Sequence, residues 1–221
     1  MNLRAGGRYV LCMAGGSGGS GISGISLWRH EARRVGGPAL FTPVFTALVL
    51  VAAAEGLHRD GFLKQLLVTS APALVIGMTA ATVAGGERAY ELLLTTPTPI
   101  RNTVWRRMAL LGFSAAVGVL AMAAGLELTG AGPPSALDLL LISAFSALLT
   151  ATGVWAALAL RSAAGAATVV LAVWLAKLFV LDRWAPGPAT QALLVAVLTG
   201  LPLARAGRLL ADGARLLEGG R

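Results

Sequence analysis

The chain has 221 residues, of which 56% are apolar and 13% charged, with a mean hydropathy of +0.75. This composition lies outside that of soluble domains, and no long polar stretch is available for a separate catalytic domain. The net charge of +8 indicates contact with anionic lipid, not nucleic acid, since the basic residues cluster beside apolar runs and no nucleic-acid-binding motif accompanies them.

Residues 1–25 are rich in glycine and serine, and we expect a flexible, uncleaved cytoplasmic tail. The stretch 16–21 (GSGGSG) formally matches the G-x-G-x-x-G pattern of dinucleotide sites. The chain has no room for the required βαβ unit before the first apolar run, so the linker interpretation is preferred and no cofactor is predicted. The lone Cys12 cannot form an internal disulfide.

Residues 26–37 predict a short amphipathic helix in the membrane interface. Trp28, Ala32 and Val35 share one helical face, and Gly36-Gly37-Pro38 ends the helix. An indole at headgroup depth and arginines directed toward lipid phosphates suit this position. The residues assigned to this interface helix are Trp28, Arg29, Glu31, Arg33 and Arg34.

Six apolar runs predict an all-α membrane domain of six spanning helices within residues 38–206, followed by a cytoplasmic tail at 207–221. The runs are 39–55, 62–84, 108–128, 137–160, 163–181 and 189–204. The first and last are shorter than the roughly 20 residues that a span requires. Flanking residues, a thinned bilayer or packing against neighbouring helices would each compensate. Pro72 and Pro202 are expected to kink their helices.

The distribution of arginine predicts the orientation. Three basic residues, Arg59, Lys64 and Arg183, fall on one side of such a six-span bundle. Fourteen fall on the other: Arg4, Arg8, Arg29, Arg33, Arg34, Arg88, Arg101, Arg106, Arg107, Arg161, Arg205, Arg208, Arg215 and Arg221. Positive loops stay in the cytoplasm, which predicts a cell-membrane protein with both termini inside and Arg161 in a cytoplasmic turn between spans four and five.

Catalytic chemistry is not evident in the sequence. It contains no metal-ligand cluster, no Ser/His/Asp set and no phosphate-binding loop, so neither catalytic nor metal-binding residues are assigned and the chain is not expected to be an enzyme. Glu55, Glu127 and Asp138 fall at the outer ends of spans. Lys177 lies near the outer end of its run, where its stem can snorkel. Without a midplane proton relay, energy for uphill transport would come from another subunit.

Small residues recur in the runs, as in Ala121-x-x-x-Gly125 and in 163–167 (AAGAA). Such residues allow close helix approach in lipid. Packing within the chain is the preferred interpretation, and a dimer or conduit interface is the alternative.

The segment 87–97 (ERAYELLLTTP) is unusual because it places charge between two nearly uncharged runs. Glu87 follows a Gly-Gly break, Tyr90 and Leu94 share one face, and Pro97 ends the helix. About two turns of amphipathic helix are expected on the cytoplasmic side. It could rest on lipid, but its acidic face differs from the basic face of a lipid-surface helix and favours docking into a protein groove.

The stretch ERAYELLLTTPTPIRNTVWRRM (87–108) resembles the segment after the second span of ABC-2-type transporter permeases. The turn at 158–162 and the W-x-x-E-A-R-R pattern that begins at Trp28 are also similar to that family. The resemblance covers about residues 26–206, and it implies that 87–97 is a coupling helix seated in a cleft of a separate ATPase subunit. The docking residues it implies are Glu87, Arg88, Tyr90, Glu91, Leu93, Leu94 and Pro97.

This resemblance implies a permease subunit of an ATP-driven exporter of a lipophilic or amphipathic molecule. The implied partners are two ATPase subunits, a second permease, identical or homologous, and membrane lipid. A haem- or cytochrome-maturation-type permease and a non-transporting membrane scaffold are the alternatives. The chain departs from the family in one respect: only 182–188 separate spans five and six, where many relatives place re-entrant hairpins. Either a flanking run breaks early, which the short sixth run favours, or an outer gate is missing.

Overall fold

The structure, a computed structural model, describes residues 28–29, 32–33, 35–56, 61–85, 100–130, 134–185 and 187–218. Across these residues the chain is helical and contains no strand. The helices are α1 (Gly37–Gly56), α2 (Gly61–Gly85), α3 (Ile100–Leu128), α4 (Ala136–Leu160), α5 (Ala163–Ala176), α6 (Asp182–Trp184) and α7 (Pro188–Glu218). A π-helical turn, Lys177–Leu181, joins α5 to α6.

Within the described ranges, six helical segments are long and apolar enough to cross a membrane, with α5, the π-helical turn and α6 together forming the fifth. The six predicted spans are thereby confirmed, and the chain is a multi-pass helical membrane protein. Helices satisfy their backbone hydrogen bonds internally, which hydrocarbon requires. Burial separates the helices into two groups: 56% of the apolar stretch of α2 and 61% of that of α4 are buried, against 17–22% elsewhere. The helices α2 and α4 therefore form the centre of the bundle.

Successive spans run in opposite directions, so each end of the bundle gathers alternate helix termini. At one end, Leu40 near the start of α1 packs with Leu111 of α3 and Val154 of α4. We call it the arginine end, because it holds Arg106, Arg107, Arg161, Arg205 and Arg208. At the opposite end, Leu50 and Met122 are buried in a second apolar cluster.

Glycines set the closest helix contacts. A Cβ on Gly77 of α2 would lie 2.6 Å from Leu149 Cβ of α4, and one on Gly153 of α4 would lie 2.9 Å from the Gly77 carbonyl oxygen. In α3, a Cβ on Gly125 would lie 2.8 Å from Val51 Cγ2 of α1. Because no hydrophobic force draws helices together in lipid, such close van der Waals contacts hold the bundle. Gly125 therefore serves packing within the chain.

Local signals define both ends of α4. Ser135 Oγ accepts a hydrogen bond from the Asp138 amide, and the Asp138 carboxylate accepts one from the Ser135 amide, which forms a capping box. At the other end Arg161 adopts a left-handed conformation with φ 50° and turns the chain into α5. Ser162 then caps α5 by accepting a hydrogen bond from the Gly165 amide.

The last helix is longer than the sequence predicts. The apolar run ends at residue 204, but α7 continues without interruption from Pro188 to Glu218 and includes Pro202. It therefore crosses the boundary that the sequence analysis placed after residue 206. Flanking residues thus extend the short sixth run, which is one of the compensations expected above. The fifth span continues through the π-helical turn to Trp184, so neither span breaks early within its described residues.

Candidate functional site

A side-open apolar groove of about 600 Å³ lies between α3 and α7, with α4 as its floor. It forms because α3 packs mainly on α1, whereas α7 packs mainly on α4. The two outer helices therefore diverge and leave one face of α4 uncovered. The groove extends from Trp105 and Leu210 near the arginine end to Leu139 near the start of α4.

Four hydroxyl groups interrupt the apolar lining. Ser143, Ser146 and Thr150 of α4 lie at positions i, i+3 and i+7, which places them on one helical face, and Thr199 of α7 also lines the groove. Ser143 Oγ donates to the Leu139 carbonyl at 2.7 Å. Thr199 Oγ1 donates to a carbonyl of its own helix at 2.7 Å. These two hydroxyls are therefore satisfied locally.

Ser146 differs from Ser143 and Thr199. It is 8% exposed, and its Oγ is the one buried side-chain oxygen or nitrogen in the described parts of the chain without a hydrogen-bond partner. Ser146 lies ten residues after Ala136, about 15 Å along the helix axis and thus near the middle of a hydrocarbon core of ~30 Å. An unpaired hydroxyl at that depth is unfavourable, so a hydrogen-bonding occupant of the groove would be stabilised there.

A second polar cluster lies toward the opposite end, around Lys177. The Lys177 ammonium donates to Ser70 Oγ of α2 at 3.1 Å and pairs with the Asp182 carboxylate at 3.0 Å. It also lies 5.5 Å from the centroid of the Phe145 ring. Trp174 Nε1 donates to the Ser70 carbonyl at 3.0 Å. We call these five residues the Lys177 cluster; it joins the fifth span to α2 and α4.

The π-helical turn explains how Lys177 and Asp182 meet. Residues five apart lie on different faces of a regular α-helix. Here the Asp182 amide donates to the Lys177 carbonyl, the i-to-i+5 bond of a π-helix, and this wider turn brings the two side chains together. The expectation that Lys177 snorkels to the surface is wrong, since the residue is 7% exposed and its charge is paired inside the bundle.

The predicted site residues fall into three groups. The docking residues Glu87, Arg88, Tyr90, Glu91, Leu93, Leu94 and Pro97 lie outside the described residues, as do Glu31 and Arg34 of the interface segment. In the same segment Trp28 is 43% exposed, and Arg29 and Arg33 are exposed. Arg161 is exposed in the turn between α4 and α5.

The structure brings several of these elements together at the arginine end. A Cβ on Gly85, the last residue of α2, would lie 2.7 Å from Ala163 Cα at the start of α5. The turn that holds Arg161 is therefore beside the point where α2 ends. Val35, which precedes α1, packs in the same apolar cluster as Ala84 of α2 and Met108 of α3. The interface segment thus approaches both helices that flank residues 86–99.

Sequence reasoning missed the groove and the Lys177 cluster. The spacing of Ser143, Ser146 and Thr150 on one face of an apolar run was a usable signal, since hydroxyls at i, i+3 and i+7 mark a polar stripe. Lys177 and Asp182 carry no comparable signal, because a regular helix would place them on different faces. As for metals, the described residues contain no group of three or more His, Cys, Asp or Glu side chains able to hold an ion.

The fold and the groove define a class: a six-span helical membrane protein with a side-open apolar site. No protein-family model matches the chain, and no curated protein or solved structure matches it.

Proposed function

We propose that the chain is the membrane subunit of an ATP-driven transporter of the ABC-2 type that exports a lipophilic or amphipathic molecule. The observation that carries the proposal is the acidic segment 87–97, which connects α2 to α3 at the arginine end of a six-span bundle. An acidic amphipathic segment between two spans suits docking on a protein partner better than resting on anionic lipid. Two ATPase subunits and a second permease would complete the transporter.

The arrangement at the arginine end supports this assignment. A coupling helix acts on its spans only if its neighbours form a compact platform, and Val35, Ala84 and Met108 share one apolar cluster there. The Arg161 turn lies beside the end of α2. The concentration of arginines at this end supports a cytoplasmic location for it and for both termini, by the positive-inside rule.

The mechanism follows from the central position of α2. A force applied through residues 87–97 would reach α2 first, and α2 packs on α4 through the close contact of Gly77 with Leu149. Closely packed helices move as rigid bodies, so tilting α2 would carry α4, the floor of the groove, with it. Each of two conformational states of the ATPases would thus favour a different conformation of the groove.

The docking assignment is tested by reversing one charge. Co-expression of the Glu91→Arg variant with a candidate ATPase from the same cell is expected to reduce co-purification about tenfold or more, because an interface charge is replaced by its opposite. Glu127→Arg is the matched control, since Glu127 is exposed at the opposite end of α3 and should leave association unchanged. Undiminished association and transport in the Glu91→Arg variant would overturn the docking assignment.

A further inference from the structure

We infer that the groove between α3 and α7 binds a neutral lipophilic molecule that carries a hydrogen-bond acceptor, and that Ser146 donates a hydrogen bond to this acceptor. The inference deepens the proposed function by naming the substrate site and its chemical class. It rests on that function only for the statement that the bound molecule is transported, because binding itself requires no ATPase.

The size and lining of the groove fit a small molecule. Its volume of about 600 Å³ is within the roughly 300–1,000 Å³ that small-molecule sites occupy. Such sites are mostly apolar with a few well-placed polar groups, which describes a groove whose polar lining is four hydroxyls. The described residues that line it include no ionisable side chain, so a charged group inside the groove would lose its hydration without compensation.

Ser146 specifies where the polar group of the ligand lies. Ser143 and Thr199 donate to carbonyls of their own helices, but Ser146 Oγ has no partner and lies near the middle of its span. The Oγ atom is covered in this structure, so the Ser146 hydroxyl must rotate about χ1 before it can donate a hydrogen bond to a ligand acceptor that faces α4 at this depth. In hydrocarbon few competing partners exist, so this one hydrogen bond can distinguish ligands of otherwise similar shape.

Two other occupants fit these observations less well. The alkyl chain of a membrane lipid has no acceptor at mid-depth and would leave Ser146 unpaired. A helix of a second copy has its backbone carbonyls bonded internally and could offer only side chains to the groove. The groove opens sideways between two outer helices, and the edge residue Trp105 is 57% exposed. Entry of a membrane-dissolved molecule directly from the bilayer therefore suits its geometry.

Binding can be measured with the full-length chain alone, reconstituted in lipid nanodiscs. The probes are 1-acetylpyrene, which is neutral and carries a carbonyl acceptor, and pyrene, which lacks one. Energy transfer from tryptophan, including Trp105 in the groove, reports binding after subtraction of the signal from empty nanodiscs. We expect saturable binding of both probes, with 1-acetylpyrene bound about fivefold more tightly, the ratio that a hydrogen bond of ordinary strength supplies.

Two substitutions and one control substitution locate the bound probe. Gly112→Phe should abolish saturable binding, because Gly112 lines the groove with nothing within 4 Å of an added Cβ. Gly200→Phe is the control; Gly200 is equally open, lies on α7 and does not belong to the groove lining. Ser146→Ala should lower the affinity ratio of the two probes toward one while leaving the thermal midpoint unchanged or higher, a combination that a purely structural role would not produce.

Three results would overturn the inference. One is saturable binding that survives Gly112→Phe, and another is an affinity ratio unchanged by Ser146→Ala. The third is the absence of saturable probe binding. This result overturns the inference whether the groove is then found to hold phospholipid or a second copy of the chain. None of these measurements involves the ATPase, so a failure here is distinct from a failure of the Glu91→Arg test.

Discussion

Replacing Gly77 by leucine is expected to be among the most damaging single substitutions in the protein. Gly77 lies where the two central helices meet, and the first carbon of any side chain there would lie 2.6 Å from Leu149 Cβ and 3.2 Å from the Leu149 backbone carbon. Because neither Leu149 Cβ nor the Leu149 backbone carbon moves when the side chain changes rotamer, a rotamer change cannot relieve the overlap, and α2 must move away from α4. Overpacking of this kind costs about 3 kcal/mol, the upper end of the usual range.

We expect the Gly77→Leu variant, purified in detergent, to lose its monodisperse form at a midpoint about 6–12 °C below that of the parent chain. Gly77→Ala should shift the midpoint in the same direction by less. Gly200→Leu is the control, because Gly200 is exposed and nothing lies within 4 Å of an added Cβ. Equal midpoints for Gly77→Leu and Gly200→Leu would show that α2 and α4 do not meet at Gly77.

The second large effect is expected at the Lys177–Asp182 ion pair. Removing one partner should destabilise the protein more than removing the other. The Lys177 side chain is 6% exposed, whereas that of Asp182 is 32% exposed. Asp182→Ala removes the partner that water can reach and leaves the buried Lys177 ammonium with only the Ser70 hydroxyl and the Phe145 ring beside it. Breaking a buried pair in this way costs about 3 kcal/mol, taken at the low end of the range because Asp182 is partly exposed.

Lys177→Met should be milder, because the remaining carboxylate can be hydrated and methionine retains most of the buried volume. The double variant should resemble Lys177→Met, since the uncompensated buried charge is then absent. The measurement is again the thermal midpoint in detergent, compared among the two single variants and the double variant. A Lys177→Met midpoint lower than that of Asp182→Ala would mean that the ammonium reaches solvent and that the asymmetry is wrongly assigned.

The spans were predictable because hydropathy is local. The run 62–84 matches α2 (Gly61–Gly85) and 137–160 matches α4 (Ala136–Leu160), since Ser135 and the Arg161 turn delimit α4 within a few residues. Other ends were missed for a physical reason. Hydropathy falls at Arg205, but arginine, alanine and leucine are good helix formers, so α7 ends later than its apolar run. Helix α3 likewise begins at Ile100, before its apolar run.

The groove and the Lys177 cluster depend on contacts that sequence periodicity does not encode. Helix α3 packs against α1 and leaves α4 uncovered. Two close contacts favour this arrangement: Gly118 approaches the Pro43 carbonyl, and Gly125 approaches Val51. Glycines at these positions permit several helix pairings, and the chain forms one of them. The π-helical turn likewise changes which residues face each other, so Lys177 and Asp182 become partners through a local irregularity.

The central claim is that the arginine end faces the cytoplasm and presents residues 87–97 to an ATPase. The most direct measurement is the accessibility of a single cysteine at Tyr90, introduced as Tyr90→Cys with the native Cys12 changed to serine. A membrane-impermeant maleimide added to intact cells should leave it unlabelled until the membrane is permeabilised, whereas a Glu127→Cys variant in the same background should react from outside. Labelling of the Tyr90→Cys variant in intact cells would contradict the claim, since a cytoplasmic ATPase could not reach that segment.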